Sequence, residues 1–545
     1  MAKITIDGQE CEFEGKSSIL QVALDNGFEI PHYCYHPGLS VVASCRICLA
    51  EIAQPNPRND NKVELVPKLV PTCQTPAADG MEVYVKSPKS LANQKAVMEY
   101  LLIHHPLDCP VCDQAGECYL QDYSYKYGRG MSRFTEAKIK QPKKDVGPYV
   151  MLYADRCIMC TRCVRFTREV TGTGELAVFG RGNQEQIDVF PGKALDNEMS
   201  GNVIDICPVG ALLDKDFLMS MRVWNLDKAA SIDGVTASGD NISIEYNESE
   251  GKVYRVKPRT NMDVNKWWIS DEIRYGWKFI HHQDRLRSPT TRVHGTHEEC
   301  DWNQAYSQAT RRLKQSVAEQ GAGSLAVMVS PMLASEEAYL LGKLARAIDD
   351  KAVLAVGPVP VAGEDKTFPG GYTVYAEKAP NARGVRRALE LVAPDVIDAD
   401  ALLKQLQGGR VKAVLATGNY PSVWATPEFA QALGDAYTVL IDTLPGEVIE
   451  QVELVLPGAT WAEKAGTFEN VHGRLQSFNQ VIPVTELAKT EGQIALDLLA
   501  WLGVRDNERY DAKRIRSEMG GVFVADVHHP PISLKQVSDM QYVEL

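Results

Sequence analysis

Residues 157–163 read CIMCTRC, and residues 206–212 read ICPVGAL. A C-x2-C-x2-C run that is completed by a Cys-Pro pair is an arrangement that holds 4Fe–4S clusters in bacterial proteins. The 43-residue gap between the two segments is loose, but the CPxGA context supports the assignment. The pattern predicts one 4Fe–4S site, with four ligands: Cys157, Cys160, Cys163 and Cys207.

A second ligand set lies upstream, where residues 105–118 read HPLDCPVCDQAGEC. Four ligands within fourteen residues, spaced H-x3-C-x2-C-x5-C, suit a compact 4Fe–4S cluster. The predicted ligands are His105, Cys109, Cys112 and Cys118. His104 is a competing candidate, because spacing alone does not separate two adjacent histidines. A neutral imidazole in place of a thiolate removes one negative charge, which by itself raises the reduction potential.

The first set along the chain has the spacing C-x10-C-x2-C-x24-C and consists of Cys34, Cys45, Cys48 and Cys73. Its first gap is six residues longer than that of a plant-type 2Fe–2S loop, C-x4-C-x2-C. A predicted hairpin over residues 3–14 and a predicted helix from about Ser17 to Asn26 precede it. That order of elements is typical of a β-grasp ferredoxin, so we predict a 2Fe–2S cluster. For this set and the second set, four-ligand zinc is the alternative.

Length, charge and cysteine content argue against several other functions. The chain has 545 residues, a net charge of −13 and thirteen cysteines, of which twelve lie in the first 207 residues. The negative charge argues against a nucleic-acid partner, because phosphate binding needs a basic surface. We find no apolar run of 18 residues, so no membrane span is expected, and no targeting segment is recognised at the start. Cys11 and Cys300 have no partners at ligand spacing and are interpreted as structural.

The cysteine pattern and the secondary-structure signals divide the chain into four expected units. An α+β, β-grasp 2Fe–2S unit covers residues 1–86, a 4Fe–4S segment with one His and three Cys ligands covers 87–130, and a 4Fe–4S ferredoxin-like unit covers 131–220. In residues 221–545 apolar strand-like runs alternate with helical ones, which predicts an α/β region with parallel strands.

Two further features of residues 149–220 bear on function. Arg156, Arg162 and Arg165 interleave with the third set, either to offset cluster charge and hydrogen-bond sulfur or simply as solvated surface residues. The glycines of residues 172–182 lack the spacing of a dinucleotide motif, so this segment is predicted to be a loop and NADH is not expected to bind here.

The order of the three motifs resembles the large iron–sulfur subunit family (the G subunit) of NADH–quinone oxidoreductase, respiratory complex I. Residues 255–276, RVKPRTNMDVNKWWISDEIRYG, and 454–476, LVLPGATWAEKAGTFENVHGRLQ, are similar to that family's C-terminal region. The family's C-terminal region is like molybdopterin oxidoreductases but carries no cofactor. The resemblance therefore implies an α/β molybdopterin-oxidoreductase-like region over residues 221–545, with no molybdopterin.

The resemblance also implies the role and the surroundings of the clusters. One 2Fe–2S and two 4Fe–4S clusters would relay electrons from the flavin-bearing, NADH-oxidising module toward quinone. The implied partners are the flavin subunit, its 2Fe–2S partner, the subunit with two 4Fe–4S clusters and the quinone-site subunit. The implied location is peripheral, on the cytoplasmic side of the bacterial inner membrane, and no substrate site is expected in this chain itself.

Some bacterial members of the family carry a fourth 4Fe–4S cluster, bound by C-x2-C-x3-C and a distant cysteine. The matching positions here are Asp233, Thr236, Asp240 and, with a looser alignment, Ser270. None is a thiol, so no fourth cluster is expected. The rival interpretation is a cluster-bearing subunit of a formate dehydrogenase or hydrogenase complex, but only Cys300 follows residue 207 and its context suits neither active site. A zinc-bearing scaffold is the third possibility.

Overall fold

The N-terminal unit of this computed structural model, which describes residues 2–56, 59, 60 and 62–520, is a sheet of order β2-β1-β6-β3-β4 with β5 on β3. The hairpin and the following helix are observed as predicted, and the Ser18 hydroxyl caps the helix by accepting from the Gln21 N–H. The helix buries Ile19, Leu20 and Val22 on the sheet. The elements are β1 Ala2–Ile6, β2 Gln9–Phe13, α1 Ile19–Asp25, β3 Leu49–Asn56, β4 Lys62–Leu65, β5 Val70–Pro71 and β6 Met81–Tyr84.

Two helices carry the next unit, α2 over Pro88–Leu102 and α3 over Tyr119–Tyr127. The Ser87 hydroxyl caps α2 and Pro88 occupies its first turn, where the missing N–H is of no consequence. The second ligand set lies between the two helices.

Short antiparallel strands surround the third ligand set. Leu176–Phe179 and Gln186–Val189 form a hairpin, so the prediction of a loop over residues 172–182 was wrong. The apolar run LAVF, which lies between the glycines, supplies the first strand. The elements are β7 Lys143–Asp145, β8 Val150–Tyr153, α4 Arg162–Arg165, a π-helical turn Phe166–Val170, β9 Leu176–Phe179, β10 Gln186–Val189, α5 Asn202–Ile206 and β11 Leu212–Asp214.

A small antiparallel unit follows, built from β12 Asp227–Ile232, β13 Asn241–Asn247 and β14 Lys252–Pro258, with α6 over Asp271–Tyr275. The loop between β12 and β13 is buried, although it has no regular secondary structure.

The C-terminal region contains an eight-stranded sheet of order β16-β15-β24-β23-β22-β17-β18-β21, in which the last six strands run parallel. Helices cover both faces, so alternate residues of one strand enter different cores: Val327 faces one and Met328 the other. The predicted α/β alternation is therefore observed.

The strands of the C-terminal region are β15 Thr290–Val293, β16 Thr296–Glu299, β17 Leu325–Val329, β18 Val353–Val356, β19 Lys366–Thr367, β20 Thr373–Val374, β21 Val396–Ile397, β22 Ala413–Thr417, β23 Tyr437–Asp442, β24 Leu454–Pro457, β25 Gly466–Glu469 and β26 Leu475–Phe478. Its helices are α7 Trp302–Gln320, α8 Ser335–Ile348, α9 Ala382–Glu390, α10 Ala399–Gln407, α11 Pro427–Gly434, α12 Glu491–Trp501 and α13 Ala512–Met519. None of the helices in the described part of the chain is both long and apolar enough to span a bilayer.

Candidate iron–sulfur sites

The third ligand set is assembled around one small cavity that all four cysteine side chains line. Cys157 follows a short helical turn, Cys160 and Cys163 lie in and beside α4, and Cys207 directly follows α5. Met159 and Thr161, on either side of Cys160, have φ angles of 51° and 60°. Non-glycine residues seldom adopt this conformation, and such strain concentrates at functional sites.

The environment of the third set suits the soft sulfur ligands of a metal cluster. The rest of the cavity wall is mainly apolar, with Leu152, Ile187 and Val209 among its residues. Burial raises the pKa of all four thiols, and that of Cys160 to about 11. These thiols therefore hold their protons at neutral pH until a metal displaces them. The four donors converge without hydrogen-bonding one another, so they fit a 4Fe–4S cluster.

The first set is formed by the loop after α1 and the segment before β6. The Sγ atoms of Cys34 and Cys45 lie 3.5 Å apart, and the Thr72 hydroxyl donates to the Cys48 carbonyl at 2.9 Å, which ties the Cys73 segment to the loop. Hydrogen bonds with Cys45 and Cys73 lower the pKa of Cys34, and a hydrogen bond with Cys73 lowers the pKa of Cys48 to about 7. The four thiols are thus close neighbours, as the ligand set of a two-iron cluster requires.

The second set is the most exposed of the three. His105, Cys109 and Cys118 line one cavity, while the Cys112 thiol lies against Gly210 of the third-set segment. Cys109 is exposed, whereas Cys112 and Cys118 are buried. Burial raises the pKa of Cys118 to about 12.

The two adjacent histidines have different surroundings. His105 is half-buried and faces the cavity, and burial lowers its pKa to about 4, so its imidazole is neutral and can bind a metal at physiological pH. His104 is exposed, its ring packs edge-on against Phe134 and its Nδ1 accepts from the Ile139 N–H at 3.5 Å. The geometry therefore favours His105 over His104.

No group of three or more His, Cys, Asp or Glu side chains within the described residues is close enough to hold a single metal ion. A cluster presents several irons to its ligands, so its ligand atoms stand further apart than those around one ion. The three sets are candidate cluster sites on this geometry.

The first and third sets are joined by two buried arginines. Arg165 donates to the carbonyls of Cys34 and Cys160, and Arg162 donates to the carbonyls of Tyr35 and Ile206. The third and second sets are joined by Arg156, whose guanidinium donates to Asp108 at 2.9 Å. Arg156, Arg162 and Arg165 are only 2%, 1% and 6% exposed, so the interpretation of these residues as solvated surface arginines was wrong.

The backbone of ICPVGAL also touches the second set directly. The Tyr119 N–H donates to the Pro208 carbonyl at 3.1 Å, and a Cβ at Gly210 would lie 2.3 Å from the Cys112 Sγ. Glycine is required here because any side chain would collide with the ligand. By contrast, a layer of aromatic side chains separates the first and second sets, with the Tyr33 and Tyr123 rings 5.4 Å apart.

The loop between β12 and β13 has the spacing of a ligand loop but a different chemistry. Asp233, Thr236, Asp240 and Ser270 are all buried. The Thr236 hydroxyl and the Ser238 hydroxyl donate to the Asp233 carboxylate. Tyr372 closes the loop, because its hydroxyl donates to Asp240 and accepts from the Ser270 N–H at 2.9 Å. Oxygen atoms that are already paired with one another do not fit an iron–sulfur cluster.

Sequence reasoning missed Tyr372, which lies 132 residues from its partner Asp240. No local pattern signals such a contact. Cys11 is buried in the N-terminal sheet, and Cys300 packs half-buried against the core of the C-terminal region.

Family models match five parts of this chain. They are described as a 2Fe-2S iron-sulfur cluster binding domain (residues 1–88), an NADH-ubiquinone oxidoreductase-G iron-sulfur binding region (94–133), an NADH-quinone oxidoreductase subunit 3 ferredoxin-like domain (147–213), an NADH-ubiquinone oxidoreductase NDSU1/NuoG-like 4Fe-4S domain (226–278) and molybdopterin oxidoreductase (386–500). The predicted fold classes are confirmed, and 2Fe–2S and 4Fe–4S binding domains are both present.

Curated relatives agree with these matches. The NADH-ubiquinone oxidoreductase 78 kDa subunit of Neurospora crassa is 32% identical over 99% of this chain and 86% of that protein. The NADH-quinone oxidoreductase G subunit of Rickettsia felis is 38% identical over 63% of this chain and 49% of that protein, and the 75 kDa subunit of Reclinomonas americana is 37% identical over 66% and 50%. The chain thus spans about half the length of these two relatives.

Among solved structures, an NAD+-reducing NiFe hydrogenase aligns with 41% of this chain and 91% of its own at 28% identity and a TM-score of 0.35. The relatives and the matched domains favour the NADH–quinone oxidoreductase subunit over a formate dehydrogenase or hydrogenase subunit. The chain belongs to the family of the large iron–sulfur subunit of NADH–quinone oxidoreductase, and is an electron-transfer subunit of that oxidoreductase.

Proposed function

We propose that the three sets hold one 2Fe–2S cluster (Cys34, Cys45, Cys48, Cys73) and two 4Fe–4S clusters (His105, Cys109, Cys112, Cys118; Cys157, Cys160, Cys163, Cys207). The observation that carries this proposal is the convergence of all four third-set thiols on one apolar cavity. When bound, such clusters supply one-electron redox chemistry. The protein supplies the spacing, the insulation and the hydrogen bonds that set the potentials.

The contacts between the sets suggest an order of transfer that differs from the order in the sequence. The first set touches the third through Arg165 and Arg162, and the third touches the second through Arg156 and Gly210. The aromatic layer of Tyr33 and Tyr123 lies between the first and second sets. We therefore place the third set in the middle, with transfer from the first set to the third and then to the second.

The surface beside the second set supports its place at the end of this order. Leu107 and Tyr125 are each 87% exposed and Met131 is 83% exposed, and all three line the cavity of His105 and Cys109. Large apolar side chains exposed together mark protein interfaces. We assign this face to the subunit that carries the next two 4Fe–4S clusters, and the first-set side, with exposed Val41 and Val42, to the flavin-bearing module and its 2Fe–2S partner.

The remaining parts of the proposal concern the assembly and the C-terminal region. The chain would lie peripherally on the cytoplasmic side of the bacterial inner membrane, with the quinone-site subunit further along the electron path. Domain boundaries are proposed at residues 86, 130 and 220. Residues 221–545 would hold no fourth cluster, because the loop of residues 233–240 satisfies its own polar groups. They would also hold no molybdopterin, as the resemblance to the family implies.

Iron, sulfide and molybdenum analysis, together with EPR of the dithionite-reduced full-length chain, tests this function. We expect about ten irons per chain and three EPR signals, one from a 2Fe–2S and two from 4Fe–4S clusters. About fourteen irons would contradict the count. A colourless, EPR-silent protein containing zinc would contradict electron transfer altogether, and stoichiometric molybdenum would indicate a catalytic subunit.

A further inference from the structure

Arg165 touches both the first and the third ligand sets. It closes the helix α4, two residues after Cys163, and only 6% of it is exposed. One terminal nitrogen, Nη2, donates to the Cys34 carbonyl and, at 3.3 Å, to the Cys160 carbonyl. The other, Nη1, donates to the Ser40 carbonyl. A single planar fork thus fixes two ligand loops relative to each other.

Neighbouring contacts also hold the loop of residues 34–40 against the α4 segment. The Glu169 carboxylate, one turn further along, accepts from the Ser40 N–H at 2.8 Å and from its hydroxyl at 2.5 Å. Arg162 repeats the arrangement on the other side, since it donates to the Tyr35 carbonyl and to the Ile206 carbonyl at 3.3 Å. The position of the Arg165 guanidinium is therefore determined from both sides.

Among the described residues no carboxylate pairs directly with Arg165; Glu169, four residues further along, is the carboxylate whose charge acts on it without a direct contact. All three of its acceptors are neutral backbone carbonyls. Its Nε also lacks an acceptor among the described residues. A buried cation without a partner costs several kcal/mol, so the site calls for negative charge nearby. Burial lowers the pKa of Arg165, whereas the nearby Cys160, Cys34 and Glu169 act in the opposite direction. Cys34 and Cys160 supply negative charge when they ligate metal as thiolates.

We propose that Arg165 is a positioning residue for electron transfer between the first and third ligand sets, and that its buried positive charge raises the reduction potentials of the clusters on both sides. This inference rests on the proposed function. One electron leaves the first-set cluster, which is oxidised, and enters the third-set cluster, which is reduced. Arg165 keeps its proton throughout, so no bond changes in the protein.

The test compares two variants of Arg165 with a matched control in the full-length chain with its clusters bound. Arg165→Gln removes the charge, and Arg165→Lys keeps the charge but loses the fork. Arg168→Gln removes an exposed arginine only three residues further along the same segment. The readouts are iron content, the midpoint potentials of the 2Fe–2S and third-set 4Fe–4S signals by EPR titration, and hydrogen exchange of the loop of residues 34–40.

In Arg165→Gln, we expect both reduction equilibria to become about tenfold less favourable, which corresponds to about 59 mV for a one-electron couple. In Arg165→Lys, both potentials should stay near those of the unmodified chain, while the loop of residues 34–40 exchanges faster. Arg168→Gln should change neither readout.

The proposal is overturned if Arg165→Gln leaves both potentials unchanged or shifts only one of them. If Arg165→Gln fails to retain its iron, Arg165→Lys decides: a tenfold loss in both equilibria despite the retained charge would overturn the charge argument, and preserved potentials support it. Absence of the two EPR signals from the unmodified chain would instead refute the proposed function, so the two failures are distinguishable.

Discussion

The third ligand set and the loop of residues 233–240 both consist of buried, closely spaced donor groups. They differ in whether those groups face a cavity or are paired with one another. In the third set, four thiols face one cavity, and none of them hydrogen-bonds another of the four. In the loop of residues 233–240, hydroxyls and carboxylates pair with one another, and Tyr372 completes the network. Donors that converge on a cavity indicate a site for a bound group. Donors that are hydrogen-bonded to one another are already satisfied and indicate that no bound group is needed.

The same contrast extends to the regions around the two loops. In the N-terminal 220 residues, the proposed clusters would join the buried cysteines. The C-terminal region buries charge as well, but there the partners are protein side chains. The Lys464 Nζ lies 2.8 Å from Glu337 and 2.6 Å from Glu491, and all three side chains are fully buried. Three substitutions test this division.

The largest effect is expected from Cys160→Ala, which removes one donor from the third set. We expect a loss of about four irons per chain, because three thiols no longer hold the cluster, and destabilisation of residues 149–220, because cluster binding contributes to folding. Reduction of the second-set signal by electrons that enter at the first set should also fail. Iron analysis and EPR provide the measurement. Cys300→Ala is the control and should keep all its iron; a fully loaded Cys160→Ala protein would contradict the ligand assignment.

A smaller effect is expected from Lys464→Met in the C-terminal region. The substitution leaves the Glu337 and Glu491 carboxylates buried without a cation, which costs about 3 to 5 kcal/mol of unfolding free energy. Thermal unfolding of the full-length chain measures the loss, with exposed Lys343→Met as the control. Iron content should not change. Loss of iron together with stability would show that the buried charges around Lys464 also support the ligand sets.

The smallest effect is expected from Asp240→Asn, and it depends on pH. Burial raises the pKa of Asp240 to about 8, so between about pH 4 and pH 8 the folded chain holds a proton that the unfolded chain has released. The stability contributed by this proton falls as pH rises through that interval. Asparagine has no proton to lose, so the variant should gain about 1 to 2 kcal/mol on the unmodified chain between pH 6 and pH 8.

Hydrogen exchange of the amides of residues 233–240, measured at both pH values, localises this effect. Exposed Asp395→Asn should leave the pH dependence of the loop unchanged. An Asp240→Asn protein that loses stability with pH as steeply as the unmodified chain would show that this carboxyl is not protonated in the closed loop.

Much of the site could be predicted because cluster ligands follow short, regular spacings. In CIMCTRC and HPLDCPVCDQAGEC the candidate ligands can be identified from their spacing alone. The hairpin before Cys34 indicates the fold of the N-terminal unit. The assignment of particular ligands remains a prediction that metal analysis must test. The parallel sheet was predictable for a similar reason, since β17 and β22 are each a short apolar run followed by a helical one.

The rest depends on contacts between residues that are far apart in the chain. The sequence left two interpretations of Arg162 and Arg165 open, because burial is a property of the folded molecule. Nor does the order of the motifs along the chain reveal that the third set contacts both of the other sets. The hairpin of residues 176–189 was missed because its first strand is a short apolar run flanked by glycines, which by themselves favour a loop.

The contact of Arg165 with the Cys34 carbonyl spans 131 residues of sequence, and this distance has a consequence for biosynthesis. The N-terminal sheet is complete once β6, Met81–Tyr84, has left the ribosome, so it can fold early as a local unit. Its ligand loop, however, reaches its final position only after α4 has been made and the long intervening loop has closed, which is a slow, non-local event. The first cluster site is therefore begun first and finished late, when the later segment that carries the third set has been made.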